Sequence, residues 1–238
     1  MNVLVIGDEH TYGYGLRSGQ LSYVNQFIRL MGRLGKGDSI SVEAYAHLTM
    51  PRLLNALSQL PLGRYDLIIL QLDESMRRAV VDEPSEAGPA TSCLPTLYPP
   101  ASQKRSRWKS ELRTVGSNLL SDGLNWLRRR PTGLSRLLAL LKPYRHTVVL
   151  LTPFPHQKGL VNWGRQRLRY RMVEQASRAA FSLFDTSQVL GTGEEYFLTD
   201  DPEHLNAVSH ELLGQALFDF YQSAPAIVTI QTFRRNKQ

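Results

Sequence analysis

The fold is decided by the stretch Val3-Leu4-Val5-Ile6-Gly7-Asp8-Glu9-His10-Thr11-Tyr12-Gly13-Tyr14-Gly15. It starts as a short apolar run with the length and residue types of a strand, and it breaks at Gly7-Asp8 into a loop with three glycines. In an open α/β sheet, residues that follow a strand directly lie at the carboxyl edge of the sheet, where ligands bind. The first candidates for a functional site are therefore Asp8, Glu9 and His10.

Strands and helices alternate along the rest of the chain. Further strands are predicted at 40–46, 66–72, 147–152 and 181–185, and helices at 21–34, 49–60, 111–130, 134–141, 162–180 and 205–221. This order predicts parallel β-α-β units and an α/β fold with a mostly parallel five-stranded sheet covered on both faces. A single domain is expected over residues 1–225, with a long proline-rich loop or insertion at about 82–110 and a basic tail at 226–238.

The composition narrows the class of protein. The 238 residues, 42% hydrophobic and 21% charged, are typical of a soluble globular protein. No apolar run approaches the roughly 20 residues that a membrane span requires, and no secretion signal is visible. The single cysteine, Cys93, allows no internal disulfide bond, which suits a reducing compartment. These features predict a cytoplasmic protein, and solvated surface charge accounts for the net charge of +7 more simply than an anionic partner does.

A second informative stretch, Asp201-Pro202-Glu203-His204-Leu205-Asn206, lies near the C-terminus. A histidine three residues after an aspartate, just before a helix, suits a base and its orienting partner. The aspartate can accept a hydrogen bond from one ring nitrogen, while the other nitrogen faces a substrate or a nucleophile. Alone, the pattern is a weak signal, because such a histidine is more often a surface or helix-start residue.

The two stretches together resemble the first and last motif blocks of the SGNH (GDSL) hydrolases. Those blocks run strand, Gly-Asp-Ser, threonine and spaced glycines at one end, and Asp-x-x-His-x-Asn at the other. Residues 147–155 also resemble that family's fourth strand and following loop, so the resemblance covers almost the whole chain. It implies a three-layer α/β/α sandwich of the SGNH or flavodoxin type and an ancestral acyl-ester hydrolase. It also implies that His204 is the catalytic base and Asp201 its orienter.

Three positions depart from the family pattern. The family uses a serine nucleophile, and it builds its oxyanion hole from that serine's N–H, a glycine N–H and an asparagine side chain. Here Glu9 stands at the serine position, His47 at the glycine position and Asp73, followed by Glu74, at the asparagine position. Loss of the nucleophile costs serine hydrolases on the order of a millionfold in rate, and loss of one oxyanion donor costs about 3 kcal/mol. Attack of Glu9 on an ester would give an acyl anhydride in a site without its donors, which is not expected.

If the fold is right, the altered residues converge on one pocket. Glu9, His47, Asp73 and His204 form a plausible ligand set for a divalent metal that activates water, with His10 and Glu74 adjacent. In the simpler interpretation no cofactor is bound, and the carboxylates pair with His204 in an inactive site. The function predicted is a catalytically impaired SGNH-like protein that binds a small molecule or a protein partner at the former active site. The alternatives are an active hydrolase with a non-serine, metal-assisted mechanism, and a structural or interaction protein.

Two further patterns are not taken as sites. Gly37-Asp38-Ser39 spells the family's signature tripeptide, but it precedes the second strand and is read as a turn at the opposite edge of the sheet from His204. Arginines 165, 167, 169 and 171 lie beside Trp163 and Tyr170 on one predicted helix, a combination that can bind nucleic acid. Because these arginines fall on two separate helix faces, a solvated helix is expected and nucleic-acid binding is not.

Overall fold

The computed structural model describes residues 1–34, 40–46, 49–72, 133–157 and 159–223. Its strands are β1 (Asn2–Gly7), β2 (Ser41–Ala46), β3 (Leu67–Gln71), β4 (Val148–Leu151) and β5 (Ser182–Phe184). Its helices are α1 (Glu9–Tyr12), α2 (Tyr23–Leu34), α3 (Met50–Gln59), α4 (Gly133–Leu141), α5 (Gly159–Arg178) and α6 (Ala207–Ser223).

The five strands form one sheet in the order β2-β1-β3-β4-β5, and every neighbouring pair is parallel. In β1, Val3 lies opposite Val42 on one side and Leu67 on the other. Strands β3 and β4 are buried along their whole length, as their continuous apolar sequences predict for a parallel sheet covered on both faces. The predicted α/β fold with a five-stranded parallel sheet is confirmed.

Helices cover both faces of the sheet, because alternate strand residues point to opposite sides. In β1, Leu4 and Ile6 join one hydrophobic core, whereas Val3 and Val5 join the other. The first core contains Leu53, Leu57, Leu137, Leu141, Leu168 and Met172, which belong to α3, α4 and α5. The second core contains Tyr23, Phe27, Leu213 and Leu217, which belong to α2 and α6.

Helices α2 and α6 approach each other closely at Gly214. A Cβ atom on this glycine would lie 2.4 Å from the Cβ of Gln26 and 2.9 Å from the carbonyl oxygen of Tyr23. A side chain at position 214 therefore meets the backbone of the neighbouring helix, which cannot move aside without disturbing the packing of α2 against the sheet. Gly32 lies within α2 itself, and no atom of another element lies within 4 Å of where its Cβ would be.

We expect Gly214→Ala to lower the free energy of unfolding by about 1–3 kcal/mol, because overpacking a tight contact outweighs the gain in helix propensity. Gly32→Ala is the matched control, since it makes the same change in an open helical position. It should raise the stability by up to about 1 kcal/mol. Urea denaturation measures both variants, and equal effects of the same sign would contradict the close contact.

Several predictions fall outside the described residues. They are the insertion at 82–110, the helix at 111–130, the tail at 226–238, Gly37-Asp38-Ser39, His47, Asp73 and Glu74. The domain bounds of 1–225 also stay a prediction. In the part of the chain that is described, none of the helices is both long enough and apolar enough to cross a membrane.

Candidate functional site

Because the five strands are parallel, the residues that follow them meet at one edge of the sheet. Asp8, Glu9 and His10 follow β1, residues 152–156 follow β4, and Asp185 follows β5. The loop that carries Asp201 and His204 leads into α6 and reaches the same edge, where His204 contacts Glu9. The two stretches singled out in the sequence are therefore brought together, although almost 200 residues separate them.

The turn after β1 is held by its own side chains. Asp8 caps the one-turn helix α1, since its Oδ1 accepts a hydrogen bond of 2.9 Å from the backbone N–H of His10. Gly13 ends the helix with φ +76°, the left-handed conformation that glycine adopts without strain. At Gly7 a Cβ atom would lie 1.9 Å from Oγ1 of Thr11, so only glycine leaves room for α1 to fold back on the strand.

A buried polar network lies beneath this turn. Gln71, the last residue of β3, donates from Nε2 to Oδ2 of Asp8 at 2.9 Å, and its Oε1 accepts from the hydroxyl of Thr11 at 2.7 Å. The Thr11 hydroxyl also lies 3.1 Å from the hydroxyl of Tyr23. Burial raises the pKa of the Tyr23 hydroxyl far above its usual value, so this group stays protonated. The network fixes the orientation of α1 and hence the position of Glu9.

The predicted site residues do not include Gln71, Thr11 or Tyr23. One signal was present, since Gln71 is a polar residue within the otherwise apolar run of β3. A polar side chain that is buried in a strand requires a hydrogen-bond partner, and the carboxyl edge of the sheet is where that partner is found.

The His204 loop is held by backbone hydrogen bonds on both sides of the histidine. The N–H of His204 donates to the carbonyl of Asp201 at 3.1 Å, and its carbonyl accepts from Leu198 at 2.9 Å. Leu205 pairs with Phe197 in an antiparallel bridge. The side-chain oxygen of Asn206 then accepts a hydrogen bond of 3.0 Å from the N–H of Ser209 and so caps α6. The helix therefore begins at residue 207 and not at 205 as predicted.

The imidazole of His204 lies between two carboxylates. Its Nδ1 is 2.7 Å from Oδ2 of Asp201, and its Nε2 is 3.2 Å from Oε1 of Glu9. The contact with Glu9 is an ion pair and not an aligned hydrogen bond. The His204 side chain is only 7% exposed, whereas that of Glu9 is 46% exposed. The ring of Tyr14 flanks the imidazole, with 4.3 Å between the ring centroids. A reactant arriving from solvent therefore meets Glu9 before it meets His204.

These carboxylates determine the charge of His204. Burial lowers the pKa of the imidazole, but the carboxylates of Glu9 and Asp201 raise it by more, so the pKa lies above its ordinary value of 6.5. The imidazolium form is thus favoured, and its pairing stabilises the fold. For a raised pKa, this stabilisation is fully present below pH 6.5 and is lost as the pH rises through the pKa of the folded protein.

Glu9→Gln is expected to lower the pKa of His204, because it removes the first of the two raising charges. An NMR titration of the His204 ring protons measures the change directly. The stability difference between wild type and variant should also shrink as the pH rises through the wild-type pKa. Glu195→Gln, which alters an exposed carboxylate on the same loop, should leave the titration of His204 unchanged. A pKa of His204 that does not respond to Glu9→Gln would contradict the ion pair.

Two further buried histidines lie near His204. His10 packs its ring 5.3 Å from the ring of His204 and, edge-on, 5.3 Å from that of Phe154. Burial and the charge of Arg165 lower the pKa of His10 well below its usual value, so it is neutral. Burial likewise lowers the pKa of His210 to about 4, and its Nδ1 accepts from the N–H of Tyr23 at 3.2 Å. Of these three histidines, His204 alone has a raised pKa.

Only two of the four predicted metal ligands belong to the described residues. Glu9 and His204 lie together, whereas His47 and Asp73 are outside the described residues. Among the residues that are described, no three histidine, cysteine, aspartate or glutamate side chains are grouped so that they could hold a metal ion. A metal site therefore stays a prediction that depends on His47 and Asp73.

Two arginines of α5 are not solvated in the way that the sequence pattern predicted. Arg165 donates from Nη1 to the carbonyls of Phe154 and Pro155, at 3.1 and 3.3 Å. Arg169 forms a two-pronged ion pair with Asp185, at 2.8 and 2.5 Å. The expectation of a fully solvated helix is wrong for these two residues, because they lie on the side of α5 that faces the sheet edge. They fasten α5 to the loops after β4 and β5.

Comparison with known proteins identifies relatives by structure only. No protein-family model matches the sequence, and no curated protein matches it either. Among solved structures, an acetylxylan esterase from Geobacillus stearothermophilus shares 14% identity with a TM-score of 0.56, over 92% of this chain and 93% of that one. A lipase/acylhydrolase from Enterococcus faecalis shares 15% identity with a TM-score of 0.54, over 94% and 96% of the two chains.

A member of the lipolytic protein G-D-S-L family from Veillonella parvula is similar to the same extent. It shares 9% identity with a TM-score of 0.54, over 94% of this chain and 99% of that one. At such identities the likeness concerns the fold, and the near-complete coverage extends it to the whole domain. The chain therefore has the fold shared by the GDSL lipolytic proteins and the acetylxylan esterases, as its two end motifs predicted.

Proposed function

We propose that this chain is an SGNH (GDSL) hydrolase-like protein that has lost the serine mechanism and binds a small molecule at the former active site. One observation carries the proposal. The carboxylate of Glu9, at the nucleophile position, lies 3.2 Å from Nε2 of His204. In a serine hydrolase this nitrogen must accept the proton of the nucleophilic hydroxyl. Here it meets an acceptor that has no proton to give, so the base is neutralised by pairing.

The surroundings favour a polar ligand without negative charge. Residues 194–203, which carry Asp201 and lead to His204, contain five acidic and no basic side chains in a chain of net charge +7. Glu9 adds a sixth carboxylate on the facing turn. This local excess repels anions and favours neutral or cationic groups. The solved relatives described as an acetylxylan esterase and a lipase/acylhydrolase support an ester-like ligand.

Hydrolysis of short acyl esters tests the loss of activity. We expect wild-type protein to hydrolyse 4-nitrophenyl acetate no faster than the His204→Ala variant, both with divalent metal added and with chelator. Acetylated sugars and short-chain esters should nevertheless raise its melting temperature, and Glu9→Ala should change that shift. Ester hydrolysis that disappears in His204→Ala would overturn the proposal.

A second candidate is an active hydrolase that uses Glu9 in a non-serine mechanism. It is favoured by the exposure of the Glu9 carboxylate together with the intact contact of 2.7 Å between His204 and Asp201. In its metal-assisted form this candidate also requires His47 and Asp73. Calorimetry with zinc, manganese and magnesium tests that form, and activity that chelator abolishes would support it.

A further inference from the structure

A carboxylate at a nucleophile position changes which carbon can be attacked. Attack on an acyl carbon gives an anhydride and an oxyanion, and it therefore needs the donors that the sequence lacks. Attack on a saturated carbon gives an ordinary ester of Glu9 and forms no oxyanion at the attacked carbon. A carboxylate needs no base to remove a proton before it attacks, so pairing with His204 does not block it in the way that it blocks a serine mechanism.

We propose that Glu9, His204 and Asp201 open small epoxides and hydrolyse them to diols. The inference rests on the proposed function in one respect, namely that the former active site is the place where the ligand binds. Glu9 is the nucleophile, His204 is first the acid and then the base, and Asp201 orients the imidazole. The geometry of the three groups points to this class, because nucleophile and acid already lie side by side with 3.2 Å between them.

In the first step, a carboxylate oxygen of Glu9 attacks one ring carbon of the epoxide. The carbon–oxygen bond of the ring breaks, and its electron pair goes to the ring oxygen, which takes the proton from Nε2 of His204. The products are a hydroxyalkyl ester of Glu9 and a neutral imidazole. This step requires His204 in the imidazolium form, which its position between the carboxylates of Asp201 and Glu9 favours.

In the second step, neutral His204 takes a proton from water while the water oxygen bonds to Cδ of Glu9. The tetrahedral intermediate then releases the alkoxide, which takes the proton back from His204 and leaves as the diol. Glu9, now a carboxylic acid, returns its proton to His204, and the starting ion pair is restored. One epoxide and one water have given one diol. Since this step forms an oxyanion, it is expected to be the slow one, and the Glu9 ester should accumulate.

The position of His204 favours an epoxide over an alkyl halide. A halide leaves as a stable anion and gains nothing from an acid, whereas an epoxide oxygen must be protonated as the ring opens. The imidazole is buried behind the half-exposed Glu9 and is held by Asp201, so its Nε2 lies beside the nucleophile and away from solvent.

Mass spectrometry with styrene oxide tests the inference. Wild-type protein should gain the mass of one epoxide, located on the peptide that contains Glu9. In water enriched in oxygen-18, turnover should place the label in the Glu9 carboxylate, because that carboxylate supplies an oxygen to the diol. Glu9→Gln should lack the adduct and lose diol formation by at least about 100-fold. Glu174→Gln, which alters an exposed carboxylate on α5, should behave like wild type.

The outcomes separate this inference from the proposed function. Absence of adduct and of diol above the level of Glu9→Gln, or diol formed without label in Glu9, overturns the epoxide mechanism and leaves the loss of the serine mechanism intact. An adduct on Glu9 together with labelled carboxylate supports the mechanism, whatever the acyl-ester assays show. Circular dichroism of Glu9→Gln establishes that its inactivity is not caused by unfolding.

Discussion

Replacing Glu9 with serine is expected to raise acyl-ester hydrolysis above the level of the wild type. The substitution restores a hydroxyl beside His204, whose orienting contact with Asp201 is 2.7 Å. A complete triad contributes on the order of a millionfold in rate, and each missing oxyanion donor removes about 100-fold to 1000-fold. Two absent donors together remove about 10,000-fold to a millionfold, so a gain of at most about 100-fold over wild type remains.

The controls for this prediction isolate each group. Glu9→Ala removes the carboxylate without supplying a nucleophile and should stay inactive, and so should the double variant Glu9→Ser/His204→Ala. Adding Asp73→Asn to Glu9→Ser should raise the rate about 100-fold further if Asp73 stands at the oxyanion position. Hydrolysis of 4-nitrophenyl acetate measures all four variants. A Glu9→Ser protein that folds but is no more active than Glu9→Ala would show that the geometry needed for serine catalysis is gone.

Arg169→Ala is expected to lower the free energy of unfolding by about 2 kcal/mol at neutral pH. The pair with Asp185 is largely shielded, with side-chain exposures of 21% and 12%. Truncation leaves a shielded carboxylate without its counter-ion, and breaking a fully buried pair in this way costs roughly 3–5 kcal/mol. The smaller value allows for the remaining exposure of the arginine.

The pH dependence gives this prediction a second readout. Burial raises the pKa of Asp185, but Arg169 and Ser187 lower it by more, so the pKa of the folded state lies below its ordinary value. The stabilisation is therefore present above that ordinary value and is lost as the pH falls through the folded pKa. The deficit of Arg169→Ala in urea denaturation should accordingly shrink in acid. Arg178→Ala, which breaks an exposed pair with Glu174 on the same helix, should cost less than about 0.5 kcal/mol at any pH.

The parts of the site that are close in sequence to a strand end or a helix start could be predicted from the sequence. The apolar run that stops at Gly7-Asp8 predicts the turn after β1. The spacing of three residues predicts the contact between Asp201 and His204. Local chemistry determines both features, so they are visible in a short window of sequence.

The features that depend on packing between distant elements could not be predicted in this way. In the sequence, Gln71 is a polar residue at the end of a strand. Its hydrogen bonds to Asp8 and Thr11 become visible only when β3 is placed beside β1. Arg169 reads as a surface residue, because a helical pattern gives the angle between side chains and not which face meets the sheet. The roles of His47 and Asp73 stay predictions, since both residues lie outside the described parts of the chain.

In the turn at the end of β1, the residues that hold the backbone are different from the residue whose side chain faces His204. Asp8 provides the cap, Gly7 provides the space and Thr11 joins the polar network, whereas the side chain of Glu9 projects from the first helical position and is half exposed. A change at residue 9 therefore alters the group that faces His204 and keeps the Asp8 cap, the space at Gly7 and the hydrogen bond of Thr11. Position 9 is therefore the place in this turn where a protein engineer can exchange the side chain that faces His204 and keep the cap and the polar network.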